Sequence, residues 1–297
     1  MNRRILIPFV LSYMFVIPAV LFAAGYTVDY VFGTVEVQAG QGWRPVETGT
    51  VVSEENLLRI GRGSVAELSA GSWRITLSEP GTYFVSELMK NSRQVSSWGI
   101  VQMVRGKIRN LFQGQPETES TAMGVRAEKI ENDPGFEWMD EEEDAVEEGK
   151  SLLAAGRYEQ AVGRFEEALE LADEQSRSLY LFYIGYAYAM DGKSGLAMRY
   201  LNETDPSQLM SHYGDYVLLK GQLLLEGQSY RAALDLFDPF LASFPDHENT
   251  QSVYFLSAFC SNQLGLRAEA AAKLQKAYDR DPSSDAGKKA KATLDSL

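Results

Sequence analysis

The side chains best equipped for chemistry are scarce in this sequence: two histidines, His212 and His247, and a single cysteine, Cys260, in 297 residues. The usual zinc, haem and iron-sulfur sites draw on several such ligands at once, and one chain with this inventory cannot assemble them. Neither histidine lies in a motif that would activate a nucleophile. Cys260 falls between Phe259 and Ser261 in a helical stretch, which predicts a buried, inert thiol. No nucleophile elbow or phosphate loop occurs, so the sequence predicts no enzyme activity and no cofactor. The run Asp140-Glu141-Glu142-Glu143-Asp144 lacks the interspersed spacing and glycine turn of a calcium loop and reads as a solvated helix start. Binding is left, and a formal charge of -13 turns it away from nucleic acid and anionic membrane surfaces. A protein partner is the expectation.

The elements that would present such a binding surface are legible in a repeat. Aligning Gly149, Gly185, Gly221 and Ala258 gives steps of 36, 36 and 37 residues. Twelve residues after each small residue stand Ala161, Ala197, Ala233 and Ala270, and sixteen after stand Phe165, Leu201, Phe237 and Leu274. Pro206, Pro245 and Pro282 close three of the four units. Small residues on paired helices let them cross closely while the aromatic or leucine fills the space between units.

This pattern resembles a tetratricopeptide array over 142–297, with repeats near 142–175, 178–211, 214–247 and 251–284 and a lysine-alanine capping helix at 285–297. The resemblance implies a concave surface lined by the first helix of each repeat. Its register puts Phe182, Tyr186, Leu218, Gln222, Phe255, Phe259 and Asn262 on that surface as candidate partner-binding residues. The lysine and asparagine of a carboxylate clamp are matched only by Lys150 and Asn262, so an apolar peptide or amphipathic helix is the expected occupant. The alternative is that neighbouring repeats or the chain's own linker cover these aromatics. The second repeat departs most, with Ser194 in the aromatic position and Thr204-Asp205-Pro206 ending its second helix early, and is expected to be the softest.

Before the repeats, glycine turns separate alternating runs such as Thr34–Val37, Val65–Leu68 and Trp73–Leu77, the pattern of strands with one buried face. Trp43, Trp73 and Phe84 read as core or turn-covering aromatics. The order Gly33-x-Val35-x-Val37, Gly42-Trp43-Arg44-Pro45-Val46, Leu58-x-Ile60-Gly61-x-x-Ser64-x-Ala66-x-Leu68 and Leu77-x-x-Pro80-Gly81-Thr82 resembles the periplasmic domain of FecR-type regulators over 26–132. Gly106-Lys107-Ile108 and Val125-Arg126 look like its closing segment, although Ala127-Glu128 follows where the family carries Gly-Thr. The resemblance implies an extracytoplasmic interaction domain. Arg93, Arg105, Lys107, Arg109 and Arg126 make this the most basic stretch, either as solvent-facing strand positions or as a contact to the acidic second half or an anionic wall polymer.

Residues 1–25 have the three parts of an export signal: Arg3 and Arg4, the uncharged stretch Ile5 to Phe22, then Ala23, Ala24 and Gly25. The stretch is long enough that an uncleaved single anchor is left open. With four residues ahead of it, a cytoplasmic anti-sigma segment is not expected. The expected architecture is two domains, segregated β then α: a FecR-like β domain at 26–132, a linker at 133–141 and the helical array. The expected role is a non-enzymatic periplasmic or otherwise extracytoplasmic scaffold of the bacterial cell envelope, or an accessory of a FecR-like signalling system.

Overall fold

The computed structural model describes residues 25–88 and 134–297. The first stretch folds into eight short strands: β1 Tyr26–Phe32, β2 Val35–Ala39, β3 Gly42–Pro45, β4 Val51–Val52, β5 Leu57–Ile60, β6 Val65–Ala70, β7 Trp73–Leu77 and β8 Gly81–Phe84. They pair as two antiparallel four-stranded sheets, ordered β4-β1-β6-β7 and β3-β2-β5-β8. Gly33 takes a positive φ of 75° in the first turn, where Ser64 Oγ accepts the Thr34 amide at 2.8 Å. Val28, Val35, Leu58, Ile60, Leu68, Ile75 and Leu77 fill the space between the sheets.

Alternation fails in β6, where Val65, Ala66, Glu67 and Leu68 are all buried. Ala66 and Leu68 face the sandwich core, while Val65 belongs to the core of the helical half. The outer face of this sheet is therefore covered too. Trp73 packs edge-on against Tyr26 at 5.3 Å, and Trp43 is half-buried with the Arg59 guanidinium 4.4 Å from its ring centre. Phe84 corrects the expectation of a core aromatic: it is 49% exposed on β8, which among the described residues pairs only with β5.

The second stretch contains α1 Pro134–Ala154, α2 Tyr158–Leu171, α3 Arg177–Met190, α4 Ser194–Glu203, α5 Tyr213–Glu226, α6 Tyr230–Ser243, α7 Thr250–Gln263, α8 Arg267–Arg280 and α9 Asp285–Leu294. Residues 134–141, expected as linker, are helical, with proline tolerated at the first helical position. The acidic run 140–144 consequently lies inside α1 rather than at its start, and Glu142 accepts from Tyr180 Oη at 2.6 Å. The early end of the second repeat is observed: α4 has ten residues where α2, α6 and α8 have fourteen. Ser284 caps α9, its Oγ accepting the Gly287 amide at 3.0 Å. Among the described residues, no helix is long and apolar enough to cross a membrane. The export signal, the basic stretch Arg93 to Arg126 and the FecR-like closing segment lie outside the described residues.

Candidate functional site

Each helical pair is locked by a small residue facing a large one. A Cβ on Gly149 would sit 2.6 Å from the Phe165 ring, one on Gly185 would sit 2.9 Å from Leu201, and one on Gly221 would overlap the Phe237 ring. These contacts fix which side of α1, α3 and α5 meets the second helix of its own repeat. At about 100° per residue, positions three before and one after the small residue point away to the same flank. That flank carries Phe182 and Tyr186 on α3, Leu218 and Gln222 on α5, and Phe255 and Phe259 on α7. The sequence-derived register thus places them on one face along three successive repeats.

The tetratricopeptide repeat model matches residues 146–207 and 218–285. The helical half is a tetratricopeptide-type solenoid. No curated protein matches the chain. Nine solved chains do. They include the crystal structure of MamA, at 18% identity over 48% of this chain and 78% of that one with a TM-score of 0.42. The crystal structure of the apo form of RapI is 15% identical over 52% of this chain and 47% of that one, with a TM-score of 0.45. The present chain thus spans about half the length of RapI.

The concave face of the tetratricopeptide half is not open. Phe182, Tyr186, Leu218, Gln222, Phe255 and Phe259 are 0–4% exposed, and Asn262 alone of the seven candidates is partly accessible. The aromatics are covered, the alternative that the sequence left open. Phe182 packs with the rings of Tyr183, His212 and Tyr216, and Phe259 meets Tyr230 edge-on at 5.9 Å. Lys150, the other clamp candidate, is half-buried and bonded to Glu147 at 2.7 Å. Cys260 is fully buried, and that burial pushes its thiol pKa up, as expected of an inert thiol.

A polar network that sequence reasoning missed borders this face. Tyr183 Oη lies 3.2 Å from His212 Nε2, His212 Nδ1 lies 3.7 Å from Asp215 Oδ2, and Asn249 donates to Asp215 Oδ1 at 2.9 Å. It ties the starts of α5 and α7 to α3. Asp215, a buried carboxylate in an apolar helix, was the signal for it, because such a group survives only with partners. Tyr183 is driven up by burial, the adjacent carboxylates Glu147 and Asp215 adding to the shift. Among the described residues, no group of three His, Cys, Asp or Glu side chains is placed to hold a metal ion.

The β unit is seated on the turns that join the first and second helices of repeats two and three. Glu67 Oε2 accepts the Gly195 amide at 2.7 Å at the start of α4, and its Oε1 takes Arg74 Nε at 2.9 Å. Arg74 also donates to Gly192 O at 2.7 Å. Desolvation raises the Glu67 pKa against the pull of that amide and of Arg74. A Cβ on Gly195 would strike Tyr30 at 2.7 Å and Glu67 at 2.9 Å, and one on Gly227 would overlap the Thr76 carbonyl. Gln228 closes the contact, its Nε2 donating to Leu88 O at 2.6 Å. Lys220 is also affected: burial lowers its pKa to about 8, opposed by Glu79 of the β7–β8 connection.

Proposed function

We propose that this chain is a non-enzymatic extracytoplasmic adaptor of the bacterial cell envelope, whose solenoid holds a protein partner through an apolar peptide or helix. The carrying observation is the continuous apolar and aromatic stripe that α3, α5 and α7 present along one face of a tetratricopeptide-type array, a protein-interaction scaffold. The export signal read at residues 1–25 and the FecR-like order of 26–132 support the location.

A second reading, an accessory of FecR-like envelope signalling, is favoured by the docking of the β unit on the turns of repeats two and three through Glu67, Arg74 and Gln228. A change in the β unit would reach the solenoid through those contacts without a flexible linker. The test is photo-crosslinking in intact cells from Leu179 and Met190, half-buried residues at the margin of the face, with cell fractionation alongside. An adduct to one envelope-assembly protein is expected. An adduct to a membrane-bound sensor selects the signalling reading, and a folded, exported chain with no adduct overturns both.

A further inference from the structure

We propose that the cavity between the end of α7, the start of α8 and the end of α9 binds a free α-amino acid with an apolar side chain. This site does not depend on what covers the concave face.

A departure from the repeat opens the cavity. The position nine residues after the small residue holds Tyr158 in repeat one, Ser194 in repeat two, Tyr230 in repeat three and Arg267 in repeat four. In repeat three the tyrosine ring reaches the first helix of the next unit and meets Phe259 of α7 edge-on at 5.9 Å. In repeat two the residue is small, and the Gly195 amide beside it receives Glu67 of the β unit. In repeat four the next helix is α9, and a cavity of about 230 Å³ lies where a ring could reach across, lined by Asn262, Arg267, Thr293, Ser296 and Leu297. That volume is below the range of drug-sized ligand pockets and suits a ligand the size of one residue.

The lining is polarised. The side chains of Arg267 and Asn262 have no hydrogen bond or ion pair among the described residues, so a guanidinium fork and a carboxamide are both free to donate. Stabilising α8 does not explain Arg267, because a cation at the first position of a helix opposes the macrodipole. On the α9 side the hydroxyl protons are already spent: Thr293 Oγ1 donates to Lys289 O and Ser296 Oγ to Thr293 O, each at 2.8 Å. Those two oxygens can only accept. One side of the cavity thus calls for an anion and the other for N–H donors, which the carboxylate and ammonium of one α-amino acid supply together.

Apolar surface and charge agree. Leu297 lines the cavity, and Leu264 and Leu266, in the turn between Asn262 and Arg267, are exposed. Residues 250–297 hold seven bases against five acids, whereas 134–249 hold eight bases against 23 acids, so a carboxylate is repelled least at this end of the array.

Equilibrium dialysis of the full-length chain against radiolabelled L-leucine tests the site. One-to-one binding is expected, weakened about tenfold or more in Arg267→Met by loss of the charged hydrogen bonds and partly restored in Arg267→Lys. Arg267→Tyr, which installs the residue of repeats one and three and fills the cavity, should abolish binding while helicity holds. Unchanged affinity in that variant would put leucine elsewhere and overturn the site, and it decides alone if Arg267→Met does not fold. L-leucinamide, which lacks the carboxylate, and N-acetyl-L-leucine, which lacks the ammonium, should each compete about tenfold less well than L-leucine. Equal competition by the amide would overturn anion recognition by Arg267. Equal competition by the N-acetyl compound would overturn the free amino acid in favour of a peptide's last residue. No binding of L-leucine or of L-phenylalanine would overturn the proposal outright.

Discussion

The four turns that join first to second helices share a period but not a role. Gly156, Gly192 and Gly265 adopt positive φ of 73°, 77° and 76° in repeats one, two and four, and Gln228 does so at 58° in repeat three. All four turns use the same closing bonds, as in Arg157 N to Leu152 O, Lys193 N to Tyr188 O, Ser229 N to Leu224 O and Leu266 N to Ser261 O. The outer two turns face solvent. The middle two carry the β unit, and the departures from the repeat collect there: Gly195 admits Tyr30 and Glu67, and Gln228 tolerates a glycine backbone conformation while its side chain holds Leu88. Deviations from a repeat can therefore mark where a second domain docks.

The largest effect expected is on the array itself. Phe182→Ala and Phe255→Ala should each cost about 3–5 kcal/mol in denaturant unfolding, because both rings are fully buried. Losses under 1 kcal/mol would mean an open groove and would undo the burial argument. Gly195→Val should release the β unit while the helices persist, seen as faster hydrogen exchange in β6 and α4 with retained far-ultraviolet dichroism. Uniform unfolding would show that the docking edge and the array are one cooperative unit.

Glu67→Ala should cost about 1–3 kcal/mol by stranding the Gly195 amide and Arg74, whereas Glu67→Gln keeps an acceptor and should cost less. Equal costs would remove the amide contact as the reason Glu67 is buried. Gln228→Gly should split its effect: relief of about 1 kcal/mol of left-handed strain in the array, against a looser β unit. The smallest signal is a pH slope. The lowered pKa of Lys220 leaves the unfolded chain holding more protons between pH 8 and the ordinary lysine value of 10.5. The parent should therefore gain stability relative to Lys220→Met as pH rises through that window and show no relative slope below it. A flat difference throughout would place Lys220 in water.

Much of the architecture was legible because it is periodic. Gly185 with Leu201 and Gly221 with Phe237 state the helix pairing in the sequence itself, since a close crossing needs a small residue opposite a large one. The same register located Phe182 through Phe259 on one face. It did not reveal their burial, because periodicity says which side a residue faces and nothing about what lies opposite. Phe84 was misplaced for a related reason: alternation in β8 does not say how many neighbours the strand has, and among the described residues it has one.

The sequence by itself determined the order of β strands before helical repeats, the period of those repeats and the scarcity of residues for metal or nucleophilic chemistry. These properties are local, or recur at a fixed spacing. Only the tertiary structure decided that Glu67 would leave water to cap α4, that Gln228 would stand in a glycine position to hold Leu88, and that the concave face would be covered. The first two depend on surfaces more than a hundred residues apart along the chain meeting in space, and desolvation at such a meeting leaves no period to read.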